Sequence, residues 1–338
     1  MYVDLPPTSD LPPGFTPRVP GPEDVPALTA LVATHQRSSK GSASVDEVSV
    51  AAAVTGSASW TRQQVVLDGR DGGVAAWVTV HDRAAGRTMV DLTVAPDCPA
   101  GDDVARVLLG WAEDAARELA RHRALESTQL DASVFAGDER QQRWLAAAGY
   151  RKVRTWLHMT RPVRDADDLP GPRAGVTVRR VAEHEDGMPV AADLQVVHRM
   201  LEESFADHFN SYRESFAEFV QRLREDPGHR WDHWFIAEVE VEGALLPGGA
   251  LVSSVLPADE NGVEGSYVDY IGVHRRARGL GVAKALIGTV LRDAAARGRN
   301  RVDLEVDADS PTGADGLYRT LGWTEKYRTE SWHGEARP

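Results

Sequence analysis

The sequence "VHRRARGLGVAKAL" (residues 273–286) decides the fold, because it joins a basic run to a glycine turn and then to an apolar helical pattern. Apolar residues recur on one face of the helix predicted over 282–297, and Gly298 follows where a C-terminal cap belongs. The first N–H groups of a helix lack partners and lie at the positive end of its dipole. Because Gly279 and Gly281 let the backbone approach a ligand closely, the pattern predicts a site for an anion such as a diphosphate.

The alternative interpretation of this stretch is a capped helix start with solvated arginines. The standard phosphate motifs do not decide between the two. The phosphate-loop pattern G-x-x-x-x-G-K-[ST] is absent, and G-x-G-x-x-G fails because only Gly279 and Gly281 are present. The order of the neighbouring elements is more informative.

The second half of the chain alternates strand and helix patterns, which indicates an α/β domain. Strands are predicted over 176–181, 234–241, 249–256, 266–273 and 301–307, with a turn over 242–249. Helices are predicted over 190–205 and 211–223, besides the one that follows the glycine turn. Thr312 with Asp315 resembles a capping box, which predicts a further helix up to Leu321.

The two halves of the sequence resemble each other. Each opens with a short strand pattern and a Glu-Asp turn, and Gly175 follows Gly14 by 161 residues. Each closes similarly, since Gly322 follows Gly149 by 173 residues. These offsets predict one fold used twice, the alternative being chance similarity of turn-rich segments. We expect an extended arm over 1–13, a first domain over 14–162, a linker rich in Pro and Gly over 163–175 and a second domain over 176–334.

The second half resembles the GNAT superfamily of acyl-CoA-dependent N-acyltransferases. The residues that carry the resemblance are Val273, Arg278, Gly281, Ala283, Leu317, Tyr318, Gly322 and Trp323. The family pattern Q/R-x-x-G-x-G/A binds the coenzyme A pyrophosphate, and a second register that starts at Arg276 also satisfies it. The resemblance implies tandem domains like those of mycothiol synthase, each a mostly antiparallel sheet flanked by helices.

The resemblance also implies cofactor contacts. Acetyl-CoA would be the co-substrate, and no metal is expected. Its diphosphate would contact the turn, and its pantetheine would contact the end of the preceding strand. The predicted cofactor-binding residues are Ile271, Val273, Arg278, Gly279, Gly281, Val282, Ala283 and Ser310. Ser310 stands where related sequences often have asparagine, which puts that one contact in doubt.

The catalytic residues follow by position. Tyr318 matches the tyrosine that serves the family as general acid, and at an ordinary pKa near 10 it holds a proton at neutral pH. Tyr267 stands where some relatives carry a glutamate that acts as the general base. We therefore expect Asp269 to be the base, through a water molecule, with Glu264 as the second choice. Asp269 could instead bind the substrate ammonium without taking its proton, or pack structurally.

The acceptor is predicted to be a primary amine on a small molecule. Substrate contacts are expected from Tyr267 and from Asp207, His208, Phe209 and Tyr212, although ordinary helix-end packing explains the last four equally well. His229 and His233 have a metal-compatible spacing but no third ligand, so they predict no metal site. The other function considered is a non-catalytic acyl-CoA-binding or regulatory module.

The first half lacks the equivalent chemistry. The position that corresponds to Gly281 is Asp102, followed by Asp103, and two carboxylates would repel a diphosphate. The position of the tyrosine is Leu145, which cannot donate a proton. We therefore expect the first domain to keep the fold without the activity.

Composition limits the partners and the location. The 338 residues carry a net charge of -13, which disfavours nucleic acid. The single cysteine, Cys98, allows no intrachain disulfide and suits the cytoplasm. No apolar run is long enough for a membrane span, and the sequence "MYVDLPPTSDLPPG" does not resemble a signal peptide. A monomer or a homodimer is expected.

Overall fold

A computed structural model of the chain describes residues 3–84, 86–163, 171–206, 214–309 and 313–338. The helices are α1 (Val25–Lys40), α2 (Glu47–Val54), α3 (Gly101–His122), α4 (Glu139–Ala147), α5 (Ala191–Phe205), α6 (Phe216–Arg224), α7 (Val282–Ala296) and α8 (Ala314–Thr320). The strands are β1 (Thr16–Arg18), β2 (Arg62–Asp68), β3 (Val74–Ala84), β4 (Arg87–Val94), β5 (Thr128–Phe135), β6 (Arg151–Pro162), β7 (Val176–Arg180), β8 (His229–Val241), β9 (Ala244–Leu256), β10 (Gly265–Val273), β11 (Arg301–Asp307) and β12 (Thr324–Ala336).

The chain forms two compact units. In the first unit the strand order is β1-β2-β3-β4-β5-β12, and the pairs are antiparallel except for the parallel pair β4-β5. Helix α3 joins the two parallel strands. Its buried residues recur at helical spacing, and they pack with the apolar residues of β2 to β5 into one core.

The second unit repeats this arrangement. Its strand order is β11-β10-β9-β8-β7, with antiparallel pairs except for the parallel pair β10-β11, which α7 joins. Helices α5 and α6 pack against β8 and β9 in a separate core. The predicted α/β fold, used twice with a mostly antiparallel sheet flanked by helices, is confirmed.

The last strand does not follow the order of the chain. Residues from Tyr327 onward belong to the first unit, where β12 pairs antiparallel with β5 from Thr329 opposite Phe135 to Ala336 opposite Thr128. The predicted domain bounds, 14–162 and 176–334, are contiguous and do not anticipate this pairing. Strand β6 likewise begins in the first unit and ends in the second, which starts at His158.

One predicted local feature is wrong. Strand β9 begins at Ala244, so the turn predicted over 242–249 is a two-residue turn at Glu242 and Gly243, both with left-handed φ (52° and 81°). Such a turn matches the twist of a hairpin, so the flanking residues are free to pair. Helix α8 spans Ala314–Thr320 with Gly313 at the N-cap position, and Thr312, from which a capping box was predicted, lies outside the described residues.

In the part of the chain that the structure describes, every helix is too short or too polar to serve as a membrane span.

Candidate active site

A β-bulge in β10 sets the position of Asp269. Val268 pairs with Ser253 on β9 and Tyr270 pairs with Val252, so Asp269 is an extra residue between two consecutive pairs. A bulge interrupts the alternation of side chains and redirects the extra residue. Consecutive polar side chains, at 269 and 270, therefore come to lie near the same helix, α6.

The carboxyl group of Asp269 is surrounded by polar groups from other elements. It accepts a hydrogen bond from Ser254 Oγ at 3.3 Å. Burial and the nearby carboxylate of Asp226 raise the pKa of Asp269 to about 8, and the Ser254 hydroxyl and Arg222 offset only part of that rise. A carboxyl group with a pKa of about 8 exchanges protons at neutral to mildly basic pH, as a general base for an amine must.

A buried ion pair supports this end of β10. Arg222 donates to both carboxylate oxygens of Glu214, through Nε at 2.8 Å and through Nη2 at 2.7 Å. Its third nitrogen, Nη1, donates to the hydroxyl oxygen of Tyr270 at 2.9 Å. Because a bidentate carboxylate already balances the guanidinium charge, Arg222 fixes Tyr270 and leaves the net charge around Asp269 and Asp226 negative.

Two left-handed glycines form the turn between β10 and α7. After a short 3₁₀ helix over Arg275–Ala277, Gly279 and Gly281 have φ of 81° and 91°. An L-residue with a side chain would be strained in this conformation by about 1–2 kcal/mol. Gly281 is the N-cap residue of α7, and no side chain caps the helix. The N–H groups of Val282 and Ala283 therefore start α7 without a side-chain acceptor.

Arginines surround the turn. Arg275, Arg276 and Arg278 are exposed, and no ion pair joins them to any residue that the structure describes. The backbone N–H of Arg276 donates to His274 Nδ1 at 3.2 Å, whereas Arg278 is extended and directly precedes Gly279. Both predicted registers thus place an arginine beside the start of α7.

Close packing brings α7 to the end of the sheet. Val273 pairs with Gly249 on β9, and a Cβ atom at Gly249 would lie 2.7 Å from the carbonyl oxygen of Gly272 and 2.8 Å from Val282 Cγ1. Only glycine fits there. Strand β10 pairs with β11 over Ser266–Val268 and continues beyond that stretch through Ile271 to Val273. Ile271 and Val273 therefore lie between the bulge and the glycine turn, as the pantetheine prediction requires.

Tyr318 lies on α8 in the same unit. The residue is 7% exposed, its ring meets the Trp323 ring edge-on with centroids 5.9 Å apart, and the Trp323 indole donates to the carbonyl oxygen of Val302 on β11 at 3.1 Å. Burial raises the pKa of Tyr318 to about 12, so its hydroxyl group stays protonated at neutral pH. No hydrogen bond within the described ranges joins Tyr318 to Asp269.

The remaining predicted site residues divide into three groups. Tyr267 is half-buried on β10, opposite Ser254 on one side and Asp303 on the other. Glu264 has a side chain that is 59% exposed and lies 3.9 Å from Arg299, so the second choice for the base sits in an exposed ion pair. Ser310, Asp207, His208, Phe209 and Tyr212 lie outside the described residues.

Sequence reasoning missed the polar residues that surround Asp269. Ser254, Asp226 and Arg222 come from β9, from the turn before β8 and from α6. The available signal was the pair of serines inside an otherwise apolar strand, "GALVSSVL". Nothing in the alternation of β10 announces a bulge, so the approach of α6 to residue 269 was not predictable.

The corresponding place in the first unit is filled by protein groups. Arg140 donates to the carbonyl oxygens of residues 94–96 at 2.9 to 3.1 Å, and its guanidinium group lies 4.7 Å from the centre of the Trp144 ring. The Trp144 indole donates to Asp102 at 2.6 Å. Leu145 is 1% exposed in the core. The guanidinium group of Arg140 thus occupies the end of β4, and the indole of Trp144 binds Asp102 at the start of α3.

The two histidines considered as metal ligands have other surroundings. His229 packs edge-on against Trp231, and burial together with Arg224 and Arg230 lowers its pKa to about 4. His233 contacts Asp232 through Nδ1 at 2.6 Å. Within the described ranges, no three His, Cys, Asp or Glu side chains are grouped as metal ligands would be.

Comparison with known proteins agrees with this geometry. Residues 197–323 match the acetyltransferase (GNAT) family. A GCN5-related N-acetyltransferase from Sphaerobacter thermophilus is 25% identical, with a TM-score of 0.74 over 97% of this chain and 98% of its own. A tandem GNAT protein from the clavulanic acid biosynthesis pathway is 19% identical, with a TM-score of 0.65 over 96% and 98%. No sequence among the curated proteins matches this chain.

Residues 197–323 therefore match a family whose chemistry is acyl-CoA-dependent acetyl transfer, and the likeness to these solved structures extends the GNAT fold over nearly the whole chain. The fold is used twice along the chain, as in the tandem GNAT structure, and the family match lies in the second half.

Proposed function

We propose that this protein is an N-acetyltransferase that moves the acetyl group of acetyl-CoA to a primary amine of a small molecule, with its active site in the second unit. The observation that carries the proposal is the combination of an uncapped helix start at Gly281 with the bulged Asp269 of the same strand–turn–helix segment. The first supplies an anion site and the second supplies a proton acceptor.

The second unit fits coenzyme A. The glycine turn offers main-chain N–H donors at Val282 and Ala283, left-handed glycines that keep side chains away, and arginines at 276 and 278. Dipole and charge together favour a diphosphate at this position. The end of β10, at Ile271 and Val273, would contact the pantetheine. The family resemblance adds Ser310 to the cofactor contacts.

The residues of this chain supply the two proton movements of the reaction. When bound, acetyl-CoA supplies an activated acetyl thioester. Asp269 takes a proton from the substrate ammonium through a water molecule, which frees the nitrogen lone pair for attack on the carbonyl carbon. As the new C–N bond forms and the C–S bond breaks, the Tyr318 hydroxyl group gives its proton to the leaving sulfur. The nitrogen then loses its second proton to solvent, and the proton held by Asp269 returns through solvent to Tyr318, so the reaction releases one proton overall.

An amine acceptor suits the charges at the site. Asp226 and Asp269 are close enough for one carboxylate to raise the pKa of the other, and Arg222 is neutralised by Glu214. A cationic ammonium relieves that repulsion, whereas a neutral alcohol would not. Tyr267 and the residues at 207, 208 and 212 are proposed to line the acceptor pocket.

The first unit is proposed to be inactive. Arg140 and Trp144 occupy the end of β4, and Asp102 with Asp103 place two carboxylates at the start of α3. Coenzyme A binding is therefore expected at one site per chain.

The proposal is tested by measuring thiol release from acetyl-CoA with a panel of primary amines, beside calorimetric titration of coenzyme A. We expect turnover with at least one amine, N-acetylation of that amine by mass spectrometry, and a binding stoichiometry near one. Tight coenzyme binding without turnover on any amine would favour a non-catalytic binding module. Absence of coenzyme binding would remove both functions.

A further inference from the structure

The last residues of the segment between the two domains form an anchored turn. The carbonyl oxygen of Arg173 accepts from the N–H of Val176 at 3.0 Å, and that of Gly175 accepts from Glu240 at 2.9 Å. Gly175 has the left-handed φ of 79° that the turn requires. Arg173 was predicted to lie in a linker, but its backbone is fixed at the start of β7.

The side chain of Arg173 lies against the glycine turn. A Cβ atom placed on Gly281 would be 3.0 Å from Arg173 Cδ and 3.5 Å from Arg173 Nε. The stem of this arginine thus covers the N-cap residue of α7. Arg173 is exposed, and no described residue forms an ion pair with it.

The fold dictates this position. Helix α7 packs over β7, and Arg180 at the end of β7 forms an ion pair with Asp293 in the last turn of α7. Strand and helix therefore run in the same direction. The residues just before β7 must lie at the N-terminus of α7.

The position is electrostatically unfavourable in the absence of a ligand. The N-terminus of a helix carries about half a positive charge, and a cation placed there is destabilising. Arg173 adds to the exposed arginines at 275, 276 and 278, all without a carboxylate partner among the described residues. Local arrangements that work against stability are expected at functional sites, and a bound anion would offset the positive charge gathered here.

We propose that Arg173 is a further cofactor-binding residue, which donates hydrogen bonds from its guanidinium group to the diphosphate of coenzyme A. The inference rests on the proposed function, since it assigns a side chain outside the glycine motif to the same anion site. A guanidinium group binds phosphate oxygens through two parallel N–H donors and keeps its charge at all relevant pH values.

The test compares Arg173→Gln with wild type and with the matched control Arg106→Gln. Arg106 is an exposed arginine near the start of α3, with a side chain that is 68% exposed, so its substitution removes the same charge. Dissociation constants for coenzyme A and for 3′-dephospho-coenzyme A are measured by calorimetry at low and at high salt. We expect Arg173→Gln to weaken binding of both ligands equally, by about 10-fold at low salt and by less at high salt. Arg106→Gln should change neither.

A second measurement separates binding from folding. Without ligand, Arg173→Gln should melt at the same temperature as wild type or slightly higher, because it removes a cation from the positive end of α7. A lower melting temperature without ligand would indicate a structural role and overturn the inference.

Two binding results would also overturn it while leaving the proposed function intact. One is unchanged affinity of Arg173→Gln beside a wild type that binds coenzyme A. The other is a loss confined to coenzyme A, which would place Arg173 at the 3′-phosphate. If wild type itself fails to bind coenzyme A, the proposed function fails as well.

Discussion

Burial raises the proton affinity of both Asp269 and Tyr318, with opposite consequences at neutral pH. The pKa of Tyr318, raised to about 12, keeps the phenol protonated and able to donate. The pKa of Asp269, raised to about 8, brings a carboxyl group into the range where it accepts a proton only part of the time. The same physical effect therefore suits Tyr318 to its proposed role as the acid and Asp269 to its proposed role as the base.

Removal of the Tyr318 hydroxyl group tests the acid. Tyr318→Phe is expected to lower kcat by about 100-fold, because general acid catalysis contributes factors of that size, and to leave the dissociation constant of coenzyme A unchanged. Initial rates and calorimetry measure the two quantities. Tyr150→Phe is the matched control, since Tyr150 is a buried tyrosine of the first unit whose hydroxyl group has no partner among the described residues. An unimpaired kcat of Tyr318→Phe between pH 6 and pH 9 would remove Tyr318 from the mechanism.

The charge of Asp269 is tested through pH. In wild type we expect kcat/KM to rise with pH up to about 8, as Asp269 loses its proton. Asp269→Asn should remove this pH-dependent limb and lower kcat/KM by about 100-fold. Asp226→Asn removes the neighbouring carboxylate, which lowers the pKa of Asp269 and moves the limb to lower pH. A limb that stays in place in both variants would belong to the amine substrate or to another group.

Asp269 also affects stability, in a direction opposite to that of most carboxylates. Its pKa is 3.8 in a model peptide and about 8 when folded, so between these values the unfolded chain releases the proton and the folded chain keeps it. This group's contribution to the free energy of unfolding is therefore largest below pH 4 and is lost as pH rises to 8. Melting temperatures are measured for wild type and Asp269→Asn at pH 5 and pH 8. The melting temperature of the variant relative to that of wild type should be higher at pH 8 than at pH 5.

At the scale of elements, the turn into α7 links the sheet to the proposed cofactor site. Its two glycines have left-handed φ, the helix start is uncapped, and α7 approaches β9 closely at Gly249. A substitution in this turn changes backbone strain and ligand binding together. A control variant that introduces only the strain is therefore needed to separate the two effects.

Gly281→Ala is expected to cost about 1–2 kcal/mol in stability and to weaken coenzyme A binding by about 10-fold or more. The added Cβ is strained at a φ of 91° and lies 3.0 Å from Arg173 Cδ, so it displaces that side chain. Gly262→Ala is the control, because its φ of 76° imposes similar strain in open space, in the turn between β9 and β10. Thermal melts and calorimetry measure both. Equal binding by the two variants would contradict the assignment of this turn as the anion site.

Elements and motifs were predictable from the sequence where their signal is local. Alternation gave β10 and β11 nearly to the residue, and helical spacing gave α7 with its glycine cap, because the same side chains that bury the face create the pattern. The bulge at Asp269, the arginine at 173 and the polar groups from α6 depend on tertiary contacts. Such contacts create no periodic pattern in the sequence. Asp269 was therefore predicted as the base from its position in the motif, and the residues around it were not predicted.

At the scale of the whole molecule, the final strand belongs to the first unit. The sequence predicted the repeat but not the pairing of β12 with β5, because the pattern of β12 specifies a strand and not its partner. Ala336, near the end of the chain, is 1% exposed in the first core.

A charge at Ala336 should therefore damage the first unit. Ala336→Asp buries a carboxylate, and we expect it to lower the free energy of unfolding by about 2–4 kcal/mol. Arg337→Asp, with a side chain that is 75% exposed, is the neighbouring control and should cost little. Limited proteolysis with mass spectrometry should find the new cleavage sites before residue 158. New sites confined to residues 176–306 would contradict the assignment of β12 to the first unit.

The pairing of β5 with β12 has a consequence for the order of events during translation. Residues 128–135 emerge from the ribosome long before residues 329–336 exist. The β5 edge of the first sheet therefore stays without its partner β12 until the second half has been synthesised. An unpaired edge strand can pair with the wrong strand or with another chain. Nascent chains stalled before residue 327 should therefore recruit chaperones or associate with one another, even though the other strands of the first sheet have already been made.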